Sequence, residues 1–185
     1  MPTAFDRFLQ FDKRISESLR LTPDSGIRWK LAVLFAHSGD SWFWMAALGI
    51  IWLVTRGFWH NWSAFVAGCI VVQALLVFAV KVIFKRSRPP GDWGGIYRNT
   101  DPHSFPSGHA TRAIHLVTLA WLLGPTWLAV LLTIWAPLVA LSRVMTGVHY
   151  LLDILAGMAF GFITALILYQ LQPLFMNWFP FLFNL

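Results

Sequence analysis

Three short clusters hold the chemically capable residues of an otherwise apolar chain of 185 residues: Lys81-x6-Arg88-Pro89, Pro106-Ser107-Gly108-His109, and Ser142-Arg143-x5-His149-x3-Asp153. Two guanidinium groups, Arg88 and Arg143, and the Lys81 ammonium can converge on a dianionic oxyanion, arginine as a planar fork and lysine as a point charge. Pro106 to His109 stands where a helix begins, so free backbone N–H groups and the positive end of the helix dipole favour an anion there, and Gly108 lets the backbone approach it closely. His149 and Asp153 are four residues apart and share one helix face. The carboxylate can hold one imidazole nitrogen and leave the other as a directed nucleophile or base. His109 supplies a second imidazole. A nucleophile and an acid for the leaving group, set around a bound phosphate, suffice for phosphoryl transfer without a metal.

These residues must be positioned by helices in a membrane. The chain is 57% hydrophobic, 16% aromatic and 12% charged, with a mean hydropathy of +0.62, more apolar side chain than a soluble core of this size can hide. An excess of 14 Lys plus Arg over 8 Asp plus Glu gives a net charge of +6. In a soluble protein that would point to nucleic acid, but 13 of the 14 cations lie before position 31 or between Lys81 and Arg143, and no nucleic-acid partner is expected. The single cysteine, Cys69, excludes an internal disulfide.

We expect an all-α, polytopic bundle of about five transmembrane helices, forming one domain over residues 1–185. Residues 1–37 form interfacial amphipathic helices. In the first of them Phe5, Phe8, Phe11, Ile15 and Leu19 recur at helical spacing behind a Thr3/Asp6 capping box, a pattern equally suited to the membrane surface and to packing on the end of the bundle. The bundle itself covers 38–171, with spans over 41–55, 61–84, 108–123, 126–144 and 149–171 and a loop, 85–107, assigned to catalysis. Gly157 and Gly161 form a small-xxx-small pattern for close helix approach. Residues 172–185 read as an interfacial aromatic tail. With five spans, chain direction carries the clusters from four separate stretches to one side of the membrane, where ionisable groups default to a functional site.

Together the three clusters resemble the signature motifs of the type 2 phosphatidic acid phosphatase (PAP2) family, which shares its site with the vanadium haloperoxidases. Eleven specified residues agree at fixed internal spacing. The resemblance implies that Lys81, Arg88 and Arg143 bind phosphate, helped by Ser107 and the Gly108 backbone. It also implies that His149 attacks phosphorus to form a phosphohistidine, that Asp153 orients it, and that His109 protonates the leaving alkoxide and then activates water. Membrane members commonly have six spans, against the five expected here.

The expected activity is a membrane lipid phosphatase acting on a phosphate monoester or terminal pyrophosphate of the phosphatidic acid, phosphatidylglycerol phosphate, polyprenyl or lipid A class. A phosphotransferase using the same intermediate and a lipid-binding or scrambling protein are the alternatives. No cofactor or metal is expected, because the motifs contain no carboxylate cluster suited to Mg2+, and vanadate should inhibit. Arg112, Arg98 and His103 are candidate headgroup contacts, and with Lys85 and Arg86 they offer more cations than one monoester needs. For Gln73 and His115 we expect interhelical hydrogen bonds. His37 and Asp40 carry no functional signal. Six cations before position 31, against Arg56 alone on the far side, place the N-terminus and the site at the cytoplasmic face of the cell membrane.

Overall fold

The computed structural model describes residues 3–90 and 101–183, which form an all-helical membrane protein with no strand among them. Helix α1 (Ala4–Ser18) begins at the expected capping box: Asp6 N–H donates to Thr3 Oγ1 (3.1 Å), and Thr3 N–H donates to Asp6 Oδ2 (2.9 Å). Its apolar ridge of Phe5, Phe8 and Phe11 is exposed, while Asp12 and Ser16 are buried. α1 packs on the bundle through its polar side, with its phenylalanine ridge turned outward. Leu151 N–H donates to Ser16 Oγ (2.8 Å) and Leu152 N–H to Asp12 Oδ1 (2.9 Å). Two side chains of α1 thus satisfy orphan donors at the start of a later helix.

A turn at Pro23–Ser25, released by Gly26 at φ 61°, leads into α2 (Ile27–Ser38). Then follow α3 (Ser41–Val54), α4 (Phe58–Phe84), α5 (Gly108–Leu123), α6 (Thr126–Met145), α7 (Leu151–Gln170) and the short α8 (Gln172–Trp178). The expected span boundaries differ from these by at most three residues, and those of 108–123 coincide. Three helices, Phe58–Phe84, Thr126–Met145 and Leu151–Gln170, are long and apolar enough to cross a membrane. The other two expected spans are shorter, 14 residues in α3 and 16 in α5, against about 20 for a bilayer. The reason is visible in α5, which lies inside the bundle against α4, α6 and α7. Its neighbours are protein, so it needs neither bilayer length nor a fully apolar surface.

The closest helix contact is α5 against α7. A Cβ on Gly157 would come within 2.7 Å of the Ser107 carbonyl oxygen, and one on Gly161 would collide with the Thr111 carbonyl. Ser107 N–H then donates to the Asp153 carbonyl (3.0 Å), which ties the start of α5 to the first turn of α7. The main apolar core lies towards the other end, around Trp62, Phe65, Ile70, Leu116 and Leu119. The aromatic tail divides its side chains between the outside and the bundle. Trp178 and Phe181 are exposed, but Phe183 is buried, Phe175 meets Phe65 edge-on at 5.8 Å, and Trp52 Nε1 donates to the Leu182 carbonyl (2.9 Å). Aromatic side chains at the chain end found apolar surface inside the bundle.

The α5–α7 contact leaves no room for a side chain. Gly161→Ala should lower the thermal stability of detergent-solubilised protein by about 1–3 kcal/mol, the usual cost of overpacking. Gly49→Ala, where a Cβ meets nothing within 4 Å, should leave the melting temperature near that of the wild type.

Candidate active site

The charged clusters converge on a cavity of about 340 Å³ at the end of the bundle where α4 finishes and α5 starts. Lys81, Arg88, Gly108, His109, Arg112, Arg143 and His149 line it, with an apolar wall of Ala74, Val77, Phe78 and Val82 from α4. Lys81 sits in the last turn of α4 and Arg88 just beyond it. Arg143 ends α6, fully buried at 0% exposure. Gly147, at φ 70°, reverses the chain so that the N–H groups of Val148 and His149 both donate to the Arg143 carbonyl (3.1 Å each). That turn fixes His149 relative to the arginine.

Arg88 is the hub of the cationic end. Its Nη1 donates to the Val148 carbonyl (3.1 Å) and lies 3.2 Å from His149 Nε2. Its Nη2 donates to Asp101 Oδ2 (2.8 Å), and Lys81 Nζ donates to the same oxygen (2.6 Å). Asp101 therefore bridges two of the cations expected to hold phosphate. Sequence reasoning missed it, because it belongs to no motif and acts only through the fold of the loop. His103 lines the cavity and its carbonyl accepts from Lys81 (2.8 Å). Arg98 lies outside the described residues.

Asp153 is adjacent to His149 but not hydrogen-bonded to it: His149 Nδ1 stands 3.6 Å from Asp153 Oδ2. The carboxylate is drawn elsewhere, by Tyr150 N–H (2.9 Å) and by Arg86 Nη1 (2.6 Å). Arg86 in turn donates to Asp12 Oδ2 of α1 (2.6 Å) and lies 4.4 Å over the Tyr150 ring. It is thus not a spare headgroup cation. Arg112 is likewise engaged, donating to the Gly39 carbonyl, although it lines the cavity. Ser107 is the N-cap of α5 with its Oγ towards Ala110 N–H (3.5 Å), fully buried and outside the cavity lining. His115 makes the expected interhelical contact, to Thr164 Oγ1 (3.3 Å). Gln73 lines the cavity wall, and its buried Nε2 has no hydrogen-bond partner among the described residues.

Asp40 is the second residue that sequence reasoning passed over. Its Oδ1 lies 2.8 Å from His109 Nε2 and its Oδ2 3.0 Å from His37 Nδ1. Burial alone would raise this carboxyl, but the hydrogen bonds and charge of His109 and His37 outweigh it and hold the group well below the usual carboxylate range. The available signal was topological, since the α2–α3 turn falls on the same side as the clusters. For His149, in the connection between α6 and α7, burial and then the positive charges of Arg88, Arg143 and Lys81 push the imidazole well below its ordinary value. A neutral imidazole has the lone pair a nucleophile needs. Among the described residues no three His, Cys, Asp or Glu side chains converge to hold a metal ion.

A family model described as the PAP2 superfamily matches residues 62–176. The chain is 36% identical over 132 residues, covering 68% of its own length and 70% of the relative's, to a decaprenylphosphoryl-5-phosphoribose phosphatase of Mycobacterium tuberculosis. In structure it is similar to a transmembrane PAP2-type phosphatidylglycerolphosphate phosphatase of Bacillus subtilis, with a TM-score of 0.73 at 21% identity over 91% of this chain and 87% of that one. It is also similar to LpxE of Aquifex aeolicus, with a TM-score of 0.66 at 20% identity over 88% and 94%.

An anion entering the cavity must displace Asp101 from Lys81 and Arg88. Asp101→Asn should therefore bind inorganic phosphate several-fold more tightly in calorimetric titration. The gain is moderate because the Asp101 side chain is 40% exposed and its pairing is partly screened. Unchanged affinity would show that the carboxylate does not compete for the site.

Proposed function

The chain belongs to the PAP2 superfamily, and on that footing we propose that it is a membrane phosphatase that hydrolyses a phosphate monoester, or the terminal phosphate of a pyrophosphate, carried by a lipid. The observation that carries this reading is the composition of the cavity. One end gathers Lys81, Arg88 and Arg143 beside His149 and His109, and the other is an apolar wall along α4. A phosphate headgroup fits the first and a lipid chain the second. The name of the Mycobacterium tuberculosis relative favours a polyprenyl-linked phosphate among the candidate lipids.

In the proposed cycle the phosphoryl group displaces the Asp101 carboxylate, and its oxygens take up Lys81, Arg88 and Arg143. Neutral His149 forms a bond to phosphorus as the bond to the lipid oxygen breaks, and the departing alkoxide takes a proton from His109. The cations offset the charge that accumulates on the equatorial oxygens. Water then gives a proton back to His109 as its oxygen attacks the phosphohistidine, releasing inorganic phosphate and free His149. No metal enters the cycle, since side-chain cations supply the charge neutralisation. Asp153 acts on His149 from behind and would close the 3.6 Å gap as positive charge develops on the imidazole.

The decisive measurement uses purified protein and a panel of lipid monophosphates and pyrophosphates, with phosphate release as the readout. Turnover should persist in EDTA and be inhibited by vanadate, which can occupy the cradle as a five-coordinate mimic of the transition state. His149→Ala should abolish both turnover and any acid-labile phosphoenzyme. Loss of activity in EDTA that a divalent cation restores would remove this mechanism.

We further infer that the site faces the cytoplasm, from the N-terminal cations on its side of the bundle. With Cys69 replaced, a cysteine at the exposed Asp24 should resist a membrane-impermeant maleimide in intact cells and react after permeabilisation. Prompt labelling of intact cells would place the site outside.

A further inference from the structure

Asp40 stands at the N-cap of α3, where an aspartate ordinarily accepts a hydrogen bond from the first turn of its own helix. Here the side chain makes no such bond. Both oxygens are turned to histidines instead, Oδ1 to His109 Nε2 at 2.8 Å and Oδ2 to His37 Nδ1 at 3.0 Å. The corner that carries Asp40 is itself held against His109. A Cβ on Gly39 would approach His109 Cδ2 to 3.1 Å and Val139 Cγ1 to 2.7 Å, and the Gly39 carbonyl accepts from Arg112, one turn beyond His109 on α5. Three independent contacts thus join this turn to one face of α5. None of them stabilises α3, so helix capping does not explain the aspartate.

We propose that Asp40 is the positioning residue of the acid–base histidine: it holds His109 through Nε2, fixes the tautomer, and leaves Nδ1 to exchange the proton with the leaving and attacking oxygens. The proposal rests on the phosphatase reading above and adds a residue outside its three motifs. The proton balance is closed. In the acid form both ring nitrogens carry protons. The Nδ1 proton passes to the leaving alkoxide, and the Nε2 proton stays on Asp40's side. The neutral ring then takes a proton from water at Nδ1.

The charges around His109 make this carboxylate necessary. Arg112 on its own helix, Arg143 at the end of α6, and Lys81 and Arg88 line the same cavity as His109, and like charges oppose an imidazolium. Asp40 is the carboxylate in contact with the ring, and His37 shares it from α2. Without it His109 would hold its proton only at lower pH, and the acid would be absent when the leaving group needs it.

The test is Asp40→Asn, which keeps shape and removes charge. Its alkaline limb of kcat against pH should move down by about one pH unit, as expected for loss of an opposite charge in contact. kcat for a lipid alkyl phosphate should fall about ten- to hundredfold, the lower range for general acid catalysis. An activated aryl phosphate, which needs no acid, should lose much less rate, and KM should stay unchanged. Adding Asp40→Asn to His109→Ala should cost nothing further. Asp40→Ser, which retains an N-cap residue, guards against misfolding of the amide variant and should show the same limb shift. A wild-type alkaline limb in either folded variant, equal losses for both substrate types, or additivity with His109→Ala would overturn the proposal. Lipid phosphatase turnover by the wild type, with its loss in His149→Ala, tests the underlying reading separately.

Discussion

The site depends on the backbone contact between α5 and α7. Gly157 and Gly161 let α7 approach until its glycine faces meet the carbonyls of Ser107 and Thr111, and the Ser107 amide then reaches the Asp153 carbonyl. One helix brings His109 and the Pro106–Gly108 turn, and the other brings Asp153 with His149 just before it. A separation one side chain wider would part the two imidazoles and open the cavity between them. Because protein interiors are close-packed and resist compression, the contact has little tolerance for a larger side chain at either glycine.

Around that contact, charge is distributed in relays rather than pairs. Arg86 joins Asp12 of α1 to Asp153 of α7. Asp101 joins Lys81 to Arg88, and Asp40 joins His37 to His109. Each relay spans elements distant in the sequence, so the charges also stitch the fold together. The first explains why α1 turns its polar side inward. Its carboxylate and hydroxyl satisfy the opening amides of α7, and its phenylalanines are left for the exterior.

The helices and the three clusters were legible because they are local. Capping at Thr3 and the apolar runs set the helix order, and fixed spacing marked Lys81, Arg88, His109, Arg143, His149 and Asp153. What was not legible is long-range. In the sequence Asp40 carries no functional signal, and only the docking of the α2–α3 turn on α5 shows its carboxylate facing His109. The sequence offers Arg86 and Arg112 as surplus cations, and only the fold commits them to Asp12, Asp153 and the Gly39 carbonyl. The tail reads as a uniform aromatic belt because composition does not reveal that Phe175 and Phe183 meet the core.

Asp101's position gives the site the character of an ion exchanger. Lys81, Arg86, Arg88, Arg112 and Arg143 gather with the carboxylates of Asp12, Asp40, Asp101 and Asp153 at this end of the bundle. Counting these nine side chains alone, the set carries a single positive charge. When a phosphate dianion takes the place of the Asp101 carboxylate, and that half-exposed side chain returns to water, the set becomes neutral. In the proposed cycle substrate would enter and product leave by swapping one anion for another, so that no bare cluster of cations need stand in a low-dielectric medium, where its self-repulsion would be most costly.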